Sequence, residues 1–288
     1  MTRRLPWRDG PLVAHAEDVA AGRIAPARPR DAATVMLLRP AAPGTGAGGV
    51  PGVEVFLMRR VRAMRFAPGA HVFPGGSVDG GDADPDVGWA GPAPAEFGGW
   101  LGTSADQARA LVCAAVRETF EECGVLLAAA GPDAAPPVPD GEEWERDRAD
   151  LARHAASLAG VLRRRGLVVR ADLLTPWSRW ITPEAEPRRF DARFFAAAVP
   201  PGQRASGAGA GEADGAAWLR PSAAIDSARA GELTLLPPTA VTLREFAACG
   251  AVTQILGQRR RIVPLMPRIY VEDGRAWVTL PEEVEYPL

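Results

Sequence analysis

Residues 117–125 read RETFEECGV, and the reading of the fold turns on them. On a helix at about 100° per residue with Glu118 at 0°, Glu121 falls at about 300° and Glu122 at about 40°. Three carboxylates then share one face. Val112, Val116, Thr119, Phe120 and Cys123 fall between about 100° and 200°, on the opposite face. The stretch predicts a helix that buries one side and carries acid on the other. Ser104 offers an N-cap with Gln107 at the capping-box position, so the helix is expected from about residue 104 to 129. Gly124 follows the acidic turn, where a helix interior would avoid it.

Two readings stand on these residues alone. One is a solvated acidic face in which Arg117 pairs with Glu121 at i,i+4. The other is a cation site. Like charges this close repel, and a divalent cation removes that cost; hard oxygen ligands suit Mg2+ or Mn2+.

Upstream of the helix, residues 33–39 (ATVMLLR) and 53–59 (VEVFLMR) read as strands joined by a Gly/Pro-rich loop, 40–52. A short strand at 70–73 runs into the turn PGG at 74–76. Residues 83–103 read as an inserted loop, because Gly, Pro and Asp crowd there. After the acidic helix comes a break at 131–141, then one charged helix over 142–165, read as a second insertion, that ends at Gly166. Residues 173–199 are strand-like and 200–215 a linker. A strand at 216–219 and helices at 221–230 and 238–249 follow, with a hairpin around 272–274. Strands and helices interleave, which predicts the α/β (α+β) class. Residues 1–30 read as an N-terminal arm, and 31–288 as a single domain, since the strands on both sides of the insertions are needed for one sheet.

Composition narrows the function classes. The formal net charge of −2 gives no global attraction to nucleic acid or to an anionic membrane. All 33 basic residues are Arg, a bias that reads as a GC-rich genome. Cys113, Cys123 and Cys249 are odd in number and form no CxxC, so neither a disulfide framework nor a zinc site is indicated; a reducing cytoplasm fits. Cys113 and Cys123 read as small core residues. The three His are too scattered for a histidine metal centre. No secretory h-region follows the N-terminus, and no apolar run approaches the roughly 18 residues of a membrane span.

RETFEECGV resembles the second half of the Nudix box, with Thr119 at a position that is usually hydrophobic. Gly76, five residues and Asp82 resemble the first half, with Asp in place of Glu. Between the halves 34 residues (83–116) intervene where the family has seven, so the box is split. FAPGAHVFPGG at 66–76, WSRWITPEAEPRRFDARFF at 177–195 and LLPPTAVTLREF at 235–246 resemble the peroxisomal coenzyme A diphosphatase branch, some members of which have an interrupted box. The resemblance covers roughly residues 33–250. It implies a Nudix-type α/β/α sandwich with a mixed sheet, elaborated by insertions.

It also implies a site. Glu118, Glu121 and Glu122 are the expected metal ligands for Mg2+ or Mn2+, and with Arg117 the expected catalytic set, Arg117 orienting a glutamate. Gly75 and Gly76 let the backbone turn close to the metal. Asp82 either joins the metal shell or stays outside it. Arg59, Arg60 and Arg65, with neighbouring Arg62, are candidate substrate ligands or merely solvated strand ends. Arg65 and Gly69 satisfy the spacing of the branch's coenzyme A signature, whereas its earlier Ser and Arg fall on Arg60-Val61 and that part is absent. The general base stays open among Glu118, Glu184 and Glu212. Trp177, Trp180 and Phe190 either stack an adenine or belong to the core, and His71 either reaches a phosphate or is structural.

The implied reaction is cleavage of a diphosphate in a small nucleotide derivative. Coenzyme A or acyl-coenzyme A would give adenosine 3′,5′-bisphosphate and a phosphopantetheine product. ADP-ribose or a dinucleotide is the alternative substrate, and a non-catalytic nucleotide-binding module the alternative class. A homodimer is compatible with the sequence.

Overall fold

The computed structural model describes residues 4–6, 11–42, 52–61, 68–207, 213–273, 275–282 and 284–288. In chain order the elements are β1 (Arg4–Pro6), α1 (Pro11–Ala20), β2 (Arg30–Pro40), β3 (Val53–Arg60), β4 (His71–Val72), β5 (Gly75–Ser77), β6 (Trp89–Ala90), α2 (Pro94–Leu101) and α3 (Ala105–Cys123). Then come β7 (Ala128–Ala129), α4 (Glu142–Ala152), α5 (Leu158–Arg165), β8 (Val168–Arg170), β9 (Thr175–Ile181), β10 (Phe190–Ala198) and β11 (Ala213–Leu219). The chain closes with α6 (Pro221–Arg229), α7 (Pro237–Ala247), α8 (Val252–Leu256), β12 (Pro264–Leu265), β13 (Arg268–Glu272) and β14 (Arg275–Thr279).

Strand β2 sets the layering. Ala33, Val35 and Leu37 pack in one core with Val112, Val116 and Phe120 of α3, while Met36 and Leu38 pack in a second core with Leu243 and Phe246 of α7. Alternation along a strand sends successive side chains to opposite faces, so a strand buried on both faces needs a layer on each. The central sheet runs β11-β3-β2-β10-β9-β12, with β4 on β3 and β5 on β2. β2 pairs β10 in parallel and β3 antiparallel, which makes the sheet mixed. This is the expected α/β/α sandwich. Among the described residues no helix is long and apolar enough to cross a membrane.

Three expectations are corrected. The stretch 83–103 is not a plain loop: it holds β6 and α2, and Phe97 and Leu101 of α2 are buried in the core. Burial of those two residues outweighs the poor helix propensity of Gly98 and Gly99. The charged helix over 142–165 is two helices. It breaks at 153–157, where His154 adopts φ 54° and Ser157 caps α5 by accepting the Gly160 N–H at 3.1 Å. The N-terminal arm expected over 1–30 is, where described, laid against the C-terminal hairpin: β1 pairs with β14 and α1 packs on β13 and β14. The acidic helix ends at Cys123, not near 129. Gly124 closes it at φ 71°, and Ala128–Ala129 is a strand.

Candidate active site

Helix α3 is fixed by its apolar side. Val112, Val116, Phe120 and Cys123 are fully buried, as the helical wheel predicts, and so is Cys113. Thr119, at the hydrophobic position, is also fully buried; its hydroxyl donates to the Ala115 carbonyl at 2.7 Å, so no polar group is stranded. Ser104 caps the start by accepting the Gln107 N–H at 3.2 Å. Gln107 does not complete a capping box; its amide donates to Asp31 at 2.6 Å instead. The far end is closed by α4. From α4, Arg148 donates to the Phe120 carbonyl at 3.0 Å and the Glu121 carbonyl at 3.1 Å, and Trp144 meets Phe120 edge-on.

The acidic face does not look into open solvent. It packs on β5 and on the 3-10 turn Gly80–Ala83. At its centre Arg117 is nearly buried, and its donors are shared out. Nε and Nη2 hold the two oxygens of Asp82, both at 2.9 Å. Nη2 also donates to the Ser77 carbonyl, and Nη1 donates to Oε1 of Glu118 at 2.9 Å and of Glu121 at 3.1 Å. Five bonds match the five N–H groups of a guanidinium. Burial works to lower the pKa of Arg117; the Asp82 bonds and the charges of Glu118 and Glu121 outweigh it, and the guanidinium stays charged. Arg117 thus bonds both Glu118 and Glu121 from one nitrogen.

Asp82 is fully buried behind Arg117. One of its oxygens also accepts the Asp79 N–H, and both of them hold Arg117. Its pKa is raised by burial, against the pull of Arg117. The two halves of the split box therefore meet through this ion pair, across the insertion.

Glu118, Glu121 and Glu122 line one wall of a cavity of about 670 Å³. Gly75 donates its N–H to Oε2 of Glu122 at 2.7 Å. Gly76 has no room for a side chain, because a Cβ there would run into the Glu118 carboxylate. Burial pushes the Glu118 carboxyl up to about 7; Glu121 adds to the rise and Arg117 opposes it. The Glu121 carboxyl is likewise raised by burial, with Arg117 opposing. A buried acid that resists ionisation is what a cation would relieve. The donors are hard oxygens, and the bonds from Arg117 engage Oε1 of Glu118 and Glu121. Among the described residues, no three acidic, His or Cys side chains already converge on one point.

The other candidates divide. Arg60 lines the cavity beside Gly75 and Glu122, and its Nε is buried without a partner among the described residues. Arg59 points the other way, to Asp214 at 2.5 Å, outside the cavity. Arg62, Arg65 and Glu212 lie outside the described residues. Trp180 and Phe190 line the cavity. Trp177 does not; it is buried against Phe246 and donates to Glu245 at 2.7 Å. The backbone N–H of His71 donates to the Thr234 carbonyl at 2.8 Å, and burial lowers the pKa of its ring. Glu184 is exposed and away from the cavity, whereas Glu186, two residues on, is buried and lines it. Sequence reasoning missed Glu186 because nothing local distinguishes two glutamates in one loop.

Residues 101–246 match the family described as the NUDT19 Nudix domain. The Homo sapiens acyl-coenzyme A diphosphatase NUDT19 is 31% identical over 282 residues, covering 81% of this chain and 72% of the human one. The Gallus gallus protein of the same name is 29% identical over 251 residues, covering 73% of this chain and 65% of its own length. The crystal structure of a Nudix hydrolase from Alicyclobacillus acidocaldarius is similar with a TM-score of 0.63 at 31% identity, over 81% of this chain and 98% of that one. With a family shared over half its length and a fold shared with a solved relative, the chain belongs to the Nudix hydrolases, in the NUDT19 branch, and is a diphosphatase.

Proposed function

We propose that the chain hydrolyses the diphosphate of coenzyme A or an acyl-coenzyme A, releasing adenosine 3′,5′-bisphosphate and a phosphopantetheine product, with Mg2+ or Mn2+ held by Glu118, Glu121 and Glu122. The observation that carries the reading is the position of these glutamates: together on the wall of a cavity large enough for a nucleotide, with Gly76 leaving room for the Glu118 carboxylate. The names of the human and chicken relatives support the substrate.

A divalent cation bound there would neutralise diphosphate oxygens and lower the pKa of an attacking water. The chain's own residues position the reaction, which is most of what phosphoryl transfer requires. Arg117 and the Gly75 N–H hold the carboxylates in register. Arg60 lines the same cavity as Glu122 and is a candidate to take a diphosphate oxygen through its guanidinium. Trp180 and Phe190 offer apolar surface on the same cavity.

The test is product analysis of the purified chain with coenzyme A, acetyl-coenzyme A, ADP-ribose and NADH in parallel, with Mg2+ or Mn2+ and with chelator. Preference for the coenzyme A pair, abolished by chelator and by Glu122→Gln in a folded protein, is expected. Preference for ADP-ribose or NADH would discard the substrate, and activity indifferent to chelator would discard the metal.

A further inference from the structure

Two guanidinium groups line the cavity away from Arg60. Arg30, Ala32 and Thr34 follow one another on the cavity face of β2, as a strand's two-residue period requires. Opposite Ala32 and Thr34 stand Ser77 and Gly75, and Gly75 holds Glu122. Arg30 therefore lies one step beyond the carboxylate wall, about 7 Å along the strand from Ala32 and about 13 Å from Thr34. Arg188 comes from the loop between β9 and β10. That loop is pinned at the same place: the Arg30 N–H donates to the Arg189 carbonyl at 2.9 Å, and Arg30 pairs with Phe190 in the ladder. Both side chains are exposed at the cavity.

Their neighbours are spoken for. Asp31 and Asp191 pair with Arg193 at 2.9 Å, and Asp191 also pairs with Arg179 at 2.6 Å. Arg189 is turned to the Thr182 and Ala27 carbonyls. Among the described residues, no carboxylate is bonded to Arg30 or Arg188. Two forked cations, one from β2 and one from the loop before β10, thus face one cavity, which the buried Glu186 also lines, and among the described residues neither is bonded to a carboxylate.

Building on the proposed diphosphatase reading, we infer that Arg30 and Arg188 form a second anion subsite, selective for a phosphomonoester such as the 3′-phosphate of a coenzyme A nucleotide. A phosphomonoester carries nearly two charges near neutral pH and presents three oxygens to forked donors. The nucleotide then spans the cavity, with its diphosphate at Glu118, Glu121, Glu122 and Arg60 and its monoester at Arg30 and Arg188. Arg59, also a candidate substrate ligand, is committed to Asp214.

The experiment has two arms, both on the full chain and on Arg30→Gln, Arg188→Gln and the double variant. Calorimetry in chelator compares adenosine 3′,5′-bisphosphate with 5′-AMP. Wild type is expected to bind the bisphosphate at least tenfold tighter, and the double variant to lose that preference while AMP binding stays unchanged. Kinetics then compare coenzyme A with dephospho-coenzyme A. The variants are expected to raise KM for coenzyme A about tenfold, with kcat and the dephospho substrate little changed. Equal weakening of both ligands, or no bisphosphate preference in wild type, overturns the subsite. If wild type cleaves neither substrate, the proposed reaction has failed, and the calorimetric arm still decides the subsite.

Discussion

Replacing Gly76 by Ala would separate the chemistry from the fold. The nearest atoms to a Cβ at 76 all belong to the Glu118 carboxyl group, with Cδ at 2.6 Å and Oε2 at 2.7 Å, whereas ordinary contact begins at 3.4 Å. The carboxylate must retreat by roughly 1 Å, and an error of that size in a positioning group costs on the order of 100-fold in rate. That corresponds to about 2.7 kcal/mol of barrier. No backbone atom is among those nearest contacts, so the ladder between β5 and β2 is left alone. Gly75→Ala is the control with the opposite signature. There φ is +153°, and a Cβ would strike the Ala33 carbonyl and lie 2.7 Å from the Thr34 Cα, both in the sheet. Steady-state kinetics at saturating metal and urea unfolding should be run on both variants. Gly76→Ala is expected to lose about two orders of magnitude in kcat with an unchanged urea midpoint, and Gly75→Ala to lose stability. A Gly76→Ala enzyme with near-normal kcat would refute the argument that Glu118 works from this position.

Arg117→Ala leaves the fully buried Asp82 without its cation, and breaking a buried pair in this way costs about 3–5 kcal/mol; an unchanged urea midpoint would show that Arg117 does not hold the site together. The metal-free chain should also grow less stable with pH. The folded Glu118 carboxyl titrates at about 7 against an ordinary value of 4.5, so its contribution is whole below about 4.5 and is lost as pH rises through about 7. The loss is on the order of 3 kcal/mol. Added Mg2+ should accordingly raise the melting temperature more at pH 8 than at pH 5, and equal rises at the two pH values would contradict this.

The acidic helix was legible because its apolar residues recur with a helical period and its end is marked by Gly124. The strands β2 and β3 were legible as apolar runs. The burial of Glu121 and Arg117 was not, because the wheel describes a helix in isolation and cannot see β5 and the Gly80–Ala83 turn packed on the acidic face. Helix α2 was hidden by its glycines, since its stability comes from burying Phe97 and Leu101 and not from local propensity. Arg59 and Arg60 were read as one cluster, yet adjacent residues of a strand point to opposite faces, and the structure sends one to Asp214 and the other to the cavity. The break at 153–157 carried a signal, Ser157 as an N-cap, that the run of charge outweighed.

The grip of Arg148 on the last turn of α3 has a consequence for motion. That turn carries Glu121 and Glu122, and its closing carbonyls are held by a side chain from α4. Proteins open locally in cooperative units bounded by such shared bonds. When α4 lifts away, the last turn of α3 loses its partners at the same moment, and the geometry of two of the three acidic groups goes with it. A side chain of α4 thereby supports the turn that carries Glu121 and Glu122 from outside the cavity wall, through backbone carbonyls alone.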